Sequence, residues 1–195
     1  MRDGSLSYYK ALWDTMRELP DWQARIFAAA RRVVDGWKRF ELVAEILGLP
    51  WQLIGLIAEM ESACNWESNL HNGESWRRVT KLVPEGRGPF GSWEQAAMDA
   101  LKDVNKTHSD WIDDVPGWSI YELLRFLERY NGGGYMRRGV NSPYLWSGSN
   151  HGLDVGKYVS DGDGGYKADA VSKQVGAAII LGRIVAGGTT GLSYL

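Results

Sequence analysis

The 195-residue chain predicts a mostly α-helical single domain with one small β element, a hairpin wing. Three observations lead to this prediction. Stretches with helical periodicity begin at capping residues and end at glycine or proline. One β-branched stretch, residues 79–83, has turn-forming glycines and prolines nearby, which indicates a small hairpin or an extended wing within residues 72–91. No internal repeat or low-complexity linker marks a boundary between domains.

Three helices are expected at the N-terminal end. The first covers about residues 5–19 and ends before Pro20, because proline cannot continue a helix. Asp21 can cap the second, an Ala- and Arg-rich segment with high helix propensity. The third covers about residues 38–47, and Gly48 after it is a typical helix stop.

The next helix, in the stretch "LPWQLIGLIAEMESACNW" (residues 49–66), contains two glutamates, Glu59 and Glu61. On a helical wheel the apolar side chains of this stretch span an arc of about 160°. Glu61 falls inside that arc, whereas Glu59 falls roughly opposite it. We therefore expect Glu59 to be a solvated carboxylate on a polar face.

Glu61, which the wheel places among the apolar side chains, is expected to be buried and so to differ chemically from Glu59. A buried carboxylate is costly unless it is paired, hydrogen-bonded or held neutral. Low dielectric raises the pKa of such a group, and a raised pKa suits a general acid that works near neutral pH. The wheel alone leaves three interpretations of Glu61 open: a catalytic acid, a partner in a buried salt bridge, and a residue at a helix end just past the core.

Two later helices are predicted from capping boxes that begin at Ser92, in "SWEQAAMDALKDV", and at Ser119, in "SIYELLRFLERYNGGG". A loop over residues 131–166 follows. It is longer than a connection requires, which indicates a functional surface. The last helix is expected in "KADAVSKQVGAAIILGRIV" (residues 167–185), followed by a flexible tail over residues 186–195.

Composition limits the classes of partner. The net charge of −2 provides no excess of cations to neutralise phosphates, which argues against nucleic acid. Ten Trp and nine Tyr can build a core or form stacking surfaces for sugar rings. The single cysteine, Cys64, allows no intramolecular disulfide and favours a reducing compartment. No apolar run is long enough to predict stable membrane insertion, and the N-terminal residues lack the apolar region of a secretion signal.

Metals and other cofactors are not expected. The histidines His71, His108 and His151 and the lone cysteine show no spacing typical of zinc ligands. The stretch "DGDGGYKAD" (residues 161–169) lacks the full pattern and the closing glutamate of a calcium loop. It predicts a turn before a capped helix instead.

Several motifs together resemble a known family. They are "MESACNWESNLHNGE" (60–74), "PFGSWEQAAMDAL" (89–101), "LERYNGGGYMRRGVNSPYLWSGSNH" (127–151), "GKYVSDG" (156–162) and "AVSKQVGAAIIL" (170–181). This ordered set resembles small phage and prophage lysozyme-like proteins, which are endolysins or other peptidoglycan-degrading enzymes. More distantly, a Glu-Ser at a helix end, a β-wing and a later Tyr-Asn-Gly are similar to goose-type lysozymes and lytic transglycosylases. In that superfamily the glutamate is the general acid, and Tyr-Asn-Gly lines the glycan cleft.

The resemblance implies one lysozyme-like α+β domain, in which N-terminal helices (residues 1–48) precede a glycan-cleaving core (residues 49–185). It matches Glu61 to the catalytic glutamate and Ser62 to its neighbour. It matches the cleft segment to Tyr130, Asn131 and Gly132, and the Tyr130 hydroxyl could hydrogen-bond Glu61 or the substrate. Further expected substrate-binding residues, some of them candidates for a glycan-stacking wall, are His71, Tyr144, Trp146, Asn150 and His151.

The chemistry implied is cleavage of the glycan bond after N-acetylmuramic acid. Glu61 would protonate the leaving oxygen, and an inverting hydrolase would hold a water on a second carboxylate roughly 6.5–9.5 Å away. Glu94 is the first candidate for that carboxylate, although the helix dipole also favours an acidic residue in a first turn. Glu74 and Asp99 are the other candidates. A muramoyl 6-hydroxyl could replace the water and give a 1,6-anhydro product.

The expected function is therefore that of an endolysin with muramidase activity, acting as a monomer on peptidoglycan. It would remain in the host cytoplasm before lysis and reach the cell wall in the periplasm through a separately encoded, holin-type pore. Three alternatives stay open: a lytic transglycosylase, a chitinase-like glycosidase, and a non-catalytic peptidoglycan-binding or virion protein that keeps the fold.

Overall fold

The computed structural model describes residues 4–102, 118–159 and 165–188. His108, residues 161–164 of the predicted turn over residues 161–169, and residues 189–195 of the predicted tail lie outside the described residues. Helices dominate the described part, accompanied by a small two-stranded antiparallel sheet, so the predicted fold class is confirmed. None of the described helices is both long and apolar enough to cross a lipid bilayer.

The chain divides into two compact units, one formed by Met1–Ala30 with Ser119–Leu195 and the other by Arg31–Trp118. The division falls within α2 (Gln23–Asp35), which follows a short 3-10 turn over Pro20–Trp22. The expected single catalytic domain stays a prediction.

The Arg31–Trp118 unit is built on α3 (Trp37–Leu47), α4 (Trp51–Ser62) and α5 (Trp93–Leu101). Gly48 ends α3 in the left-handed region, at φ 65°, as the sequence predicts. In α4 every residue from position 52 to position 60 is buried. Gly55 permits this close packing, because a Cβ there would lie 2.7 Å from Val33 and 3.0 Å from Phe40. The wheel is therefore misleading for α4, since a helix enclosed on all sides has no polar face.

The predicted hairpin at residues 72–91 is wrong. This segment contains turns and one isolated bridge, Ser68 to Ser75, but no strand. The Glu74 carboxylate accepts the backbone N–H groups of Lys81 and Leu82, at 3.0 and 2.9 Å, in place of a partner strand. The hairpin lies elsewhere, in β1 (Lys157–Tyr158) and β2 (Tyr166–Lys167), paired antiparallel with Lys157 opposite Lys167.

The other unit begins with α1 (Leu6–Asp14), capped by Ser5. Its central helix is α6 (Ile120–Tyr130), whose predicted capping box at Ser119 and Glu122 is confirmed. The first helix is shorter than predicted, since Glu18 already forms an isolated bridge with Ser149.

The predicted loop over residues 131–166 is also wrong in part. It contains the short helices α7 (Gly134–Arg138) and α8 (Pro143–Trp146), a 3-10 turn over Asn150–Gly152, and β1. The last helix, α9 (Ala177–Ala186), starts ten residues later than predicted. At Gly176 a Cβ would lie 2.3 Å from the Leu145 carbonyl oxygen, so the chain passes close to α8 here before the helix begins.

Candidate functional site

Glu61 lies in the last turn of α4, next to the final helical residue, Ser62. It is half-buried, in contrast to the fully enclosed positions before it, so its side chain is reachable from solvent. The helix end is closed by left-handed residues, with φ 51° at Ala63 and 55° at Cys64. The Ser62 hydroxyl donates to the Ala58 carbonyl at 3.1 Å, which is a local helix contact. Glu61 is thus held by a well-defined helix terminus.

A tight turn packs against the backbone of Glu61. At Gly73, where φ is 77°, a Cβ would lie 3.1 Å from the Glu61 carbonyl oxygen. The turn is fixed by the buried Asn69 side chain, whose Oδ1 accepts the N–H groups of His71 at 2.9 Å and Asn72 at 3.1 Å. A side chain at position 73 would combine a strained φ with a close contact. The turn formed by "LHNGE" (residues 70–74) therefore packs against the backbone of Glu61 and supports it.

Glu59 is not solvated, which corrects the prediction from the wheel. Its side chain is 7% exposed and accepts a hydrogen bond from Arg32 Nε at 2.9 Å, with a second from Arg32 Nη2. The neighbouring Cys64 is buried, and burial together with Glu59 raises the pKa of its thiol. A thiol that stays protonated is a poor nucleophile, so Cys64 is a core residue. Glu59 is therefore a buried, ion-paired glutamate.

Glu94 lies in the first turn of α5 and is paired with Arg39 at 2.6 Å. Arg39 in turn lies over the ring of Trp66, 4.3 Å from its centroid. Burial acts to raise the pKa of Glu94, but its backbone hydrogen bond, Arg39 and Ser92 outweigh burial and leave the pKa lowered. Glu94 is therefore ionised near neutral pH, which fits a base or a structural ion pair and not a general acid.

The two other candidate carboxylates also have partners. Glu74 accepts from the backbone of residues 81 and 82 and from Asn72. Asp99 is bound by Arg87, and its Oδ2 is 3.0 Å from His71 Nε2. The hydrogen bond from Arg87 is the main cause that lowers the pKa of Asp99 to about 2, with burial opposing and His71 assisting. His71 thus contacts a carboxylate, and its predicted substrate contact stays a prediction.

The Tyr-Asn-Gly segment ends α6 in the other unit. Tyr130 is the last helical residue, is half-buried, and lies against Phe126 with ring centroids 6.2 Å apart. Asn131 caps the helix, and its N–H donates to the Leu127 carbonyl at 3.1 Å. A Cβ at Gly132, where φ is 87°, would meet nothing within 4 Å. The segment therefore faces open space at Gly132.

The expected stacking wall is half wrong. Trp146 is fully buried and meets the His151 ring edge to face at 5.6 Å, so it belongs to the core in this structure. Tyr144 is half-buried and keeps its place as a candidate. His151 Nε2 lies 3.0 Å from the Thr15 hydroxyl, and burial lowers its pKa. Asn150 accepts the Arg17 N–H at 2.7 Å, so these two polar residues tie their loop to the segment after α1.

The sequence interpretation missed Glu128. It lies in α6, is 4% exposed, and its Oε1 has no hydrogen-bond partner among the described residues. Burial raises the pKa of Glu128 to about 8. The available signal was spacing, because Tyr121 and Leu124 lie seven and four positions earlier and hence on the same helix face. For Arg32 and Arg39, which pair with Glu59 and Glu94, the sequence carried no such signal, because the two members of each pair are far apart along the chain.

The predicted residues fall into both units. The Arg31–Trp118 unit holds Glu61, Ser62, His71 and Glu94, and the other unit holds Tyr130, Asn131, Gly132, Tyr144, Trp146, Asn150 and His151. Within the described ranges, no group of three or more His, Cys, Asp or Glu side chains could hold a metal ion. No family model matches the chain, and no match was found among curated proteins or among solved structures.

Proposed function

We propose that this protein cleaves the glycan bond between N-acetylmuramic acid and N-acetylglucosamine in bacterial peptidoglycan, as an endolysin-type muramidase with Glu61 as general acid. The observation that carries the proposal is the position of Glu61, a half-buried glutamate in the last turn of a buried helix. The motif resemblance described above supplies the substrate class. The enzyme acts as a monomer that reaches the cell wall from the host cytoplasm through a holin-type pore.

The placement of the Glu61 backbone supports this role. A general acid must stay within hydrogen-bond reach of the leaving oxygen, so its backbone must not move when the glycan binds. The left-handed closure at Ala63 and the turn at Gly73 both restrain Glu61. Glu59, two residues earlier, is buried and ion-paired with Arg32, so it is not proposed as the acid.

A water-positioning base is the second part of the proposal. Glu94 suits this role, because its lowered pKa keeps it ionised. Glu74 is hydrogen-bonded to the backbone of its own loop, and Asp99 is paired with Arg87, so both are weaker candidates. Without a base, Glu61 would act first as acid and then as base on the muramoyl 6-hydroxyl. Tyr130, Asn131, Gly132 and Tyr144 are proposed to bind the glycan.

The test is the digestion of purified Gram-negative peptidoglycan by wild type and by Glu61→Gln. We expect Glu61→Gln to reduce the rate at least about a hundredfold, the usual contribution of a general acid. The matched control is Glu67→Gln, an exposed glutamate six residues away, which should keep full activity. Equal thermal unfolding of both variants establishes that the loss is chemical. If Glu61→Gln digests peptidoglycan at the wild-type rate, the assignment of Glu61 as general acid is refuted.

Mass spectrometry of the released muropeptides identifies the reaction. Reducing-end muramic acid means a hydrolase, and Glu94→Gln should then also lower the rate. A 1,6-anhydromuramic acid product means a lytic transglycosylase that needs no second carboxylate. Reducing-end glucosamine or cut peptides would contradict the proposed bond.

The competing class is a non-catalytic protein that binds peptidoglycan. It predicts that wild type and Glu61→Gln co-sediment with peptidoglycan equally well and that neither solubilises it. A chitinase-like glycosidase predicts turnover of chito-oligosaccharides instead.

A further inference from the structure

An exposed arginine lies beside the accessible glycine run that follows Tyr130. Arg137 is exposed, and its Nη1 donates to the Gly132 carbonyl at 3.1 Å. A Cβ at Gly132 would meet nothing within 4 Å, whereas one at Gly133 would lie 3.5 Å from Arg137 Nη1. The guanidinium group is therefore next to Gly132, which is proposed above to bind the glycan.

Arg137 is restrained but keeps donors for a ligand. The hydrogen bond to Gly132 uses only one of its N–H groups, and Arg137 forms no ion pair among the residues that the structure describes. The planar fork of a guanidinium group matches the two oxygens of a carboxylate. A side chain that is already held in place loses less conformational entropy when it binds a ligand. Arg137 is therefore suited to bind a carboxylate.

The second arginine of α7 is held differently. The Arg138 guanidinium carbon lies 4.2 Å from the centroid of the Tyr166 ring and 5.8 Å from that of the Tyr158 ring. Its Nε donates to the Tyr158 hydroxyl at 3.4 Å. These contacts hold Arg138 against the β-hairpin. It adds positive charge near Arg137, but the hairpin already engages its guanidinium group.

The local charge favours an anionic ligand. Residues 129–153 contain three arginines and no acidic residue. Over residues 129–167, five Lys and Arg residues accompany three Asp residues, although the whole chain has a net charge of −2. Glu128, just before this stretch, is buried, and burial raises its pKa to about 8, so it carries little charge at neutral pH. A positive excess therefore remains in the stretch that contains Arg137.

We propose that Arg137 binds a carboxylate of the peptide stem on muramic acid and thereby selects peptide-bearing glycan. This inference rests on the proposed function, which supplies the substrate. The stems of Gram-negative peptidoglycan carry free carboxylates, whereas chitin-like glycans carry none. Arg137 determines specificity and takes no part in breaking the glycosidic bond.

The test compares two preparations of Gram-negative peptidoglycan, both with acetylated amino groups. One keeps its carboxylates, and in the other a carbodiimide and ammonia have converted them to amides. At low substrate concentration, wild type should cleave the intact preparation about tenfold faster, the usual contribution of a hydrogen bond between charged groups. Arg137→Gln should bring this ratio of rates close to one, and Arg137→Lys should keep part of it.

The matched control is Arg17→Gln, which removes another exposed arginine from the same unit and should keep the wild-type ratio. The ratio separates recognition from structural support. If Arg137 only supports the backbone at Gly132, Arg137→Gln loses activity equally on both preparations and the ratio does not change, which overturns the proposal. A wild-type ratio close to one also overturns it.

Binding is measured separately, by co-sedimentation of Glu61→Gln with the same two preparations. This variant should bind the intact preparation more tightly, and adding Arg137→Gln should remove the preference. If wild type cleaves neither preparation, the proposed glycan cleavage fails, but co-sedimentation still tests Arg137. A preference for carboxylates that depends on Arg137 then supports the inference, and equal binding to both preparations overturns it.

Discussion

Replacing Glu128 by glutamine should make the protein more stable, and increasingly so as pH rises. The Glu128 side chain is enclosed in α6, and burial raises its pKa from the ordinary 4.5 to about 8. The folded protein therefore binds this proton more tightly than the unfolded chain. Stability is undiminished below about pH 4.5 and falls as pH rises toward 8, because burying the ionised form becomes an increasing cost.

The magnitude follows from the two pKa values. The interval between 4.5 and about 8 corresponds to about 5 kcal/mol at high pH, at about 1.4 kcal/mol for each pKa unit. At pH 7 about 3 kcal/mol of this penalty already applies. Between pH 5 and pH 9 the advantage of Glu128→Gln over wild type should grow by about 4 kcal/mol. Glutamine keeps the size of the side chain, so its own packing cost is nearly independent of pH.

The titratable groups around Glu128 do not produce the same pH dependence of stability. Burial, with Glu128 adding to it, raises the pKa of Tyr9 on α1. Burial also raises the pKa of Tyr135 on α7. Both phenols therefore stay neutral across this range. The difference between variant and wild type thus reports Glu128.

The assay is urea unfolding at several pH values, for wild type, Glu128→Gln and the exposed control Glu45→Gln. The control should differ from wild type by an amount that pH does not change. A Glu128→Gln difference that stays constant within about 1 kcal/mol from pH 5 to pH 9 would show that burial does not hold this carboxyl neutral. That result would refute the reasoning.

Two further predictions concern ion-paired carboxylates in the Arg31–Trp118 unit. Arg32→Met leaves the Glu59 carboxylate buried without its partner and should cost about 2–3 kcal/mol in urea unfolding, with part of it recovered in the double variant Arg32→Met with Glu59→Gln. A double variant as unstable as the single one would contradict this pairing. Asp99, whose pKa the Arg87 hydrogen bond lowers from 3.8 to about 2, contributes about 2 kcal/mol that is present above about pH 4 and lost as pH falls toward 2. The stability difference between wild type and Asp99→Asn should therefore shrink over that interval, and an unchanged difference at low pH would refute the assignment.

Local sequence determined where several helices begin and end. Ser5, Ser92 and Ser119 cap helices, and Gly48 ends one, because these contacts involve residues only a few positions apart. The mostly helical class follows from the same signals. Such interactions are present in the chain before any distant residue is brought near.

Tertiary packing decided the environment of individual side chains. The wheel placed Glu59 in solvent, but Arg32, distant in sequence, and the enclosure of α4 make it a buried ion pair. Trp146 was expected in an exposed wall and is fully buried. The β-branched stretch at residues 79–83 formed no strand, since side chains of the preceding turn occupy its backbone groups.

The two glutamates of α4 show most directly what the sequence determined and what only the fold decided. The sequence alone distinguished Glu59 from Glu61 by their positions on the helix, and it determined which of them ends the helix next to a serine. Only the fold decided that the first is paired with an arginine and that the second remains within reach of solvent. The reason is that burial and ion pairing depend on residues that the chain brings together over long separations, whereas helix position depends on the nearest turn.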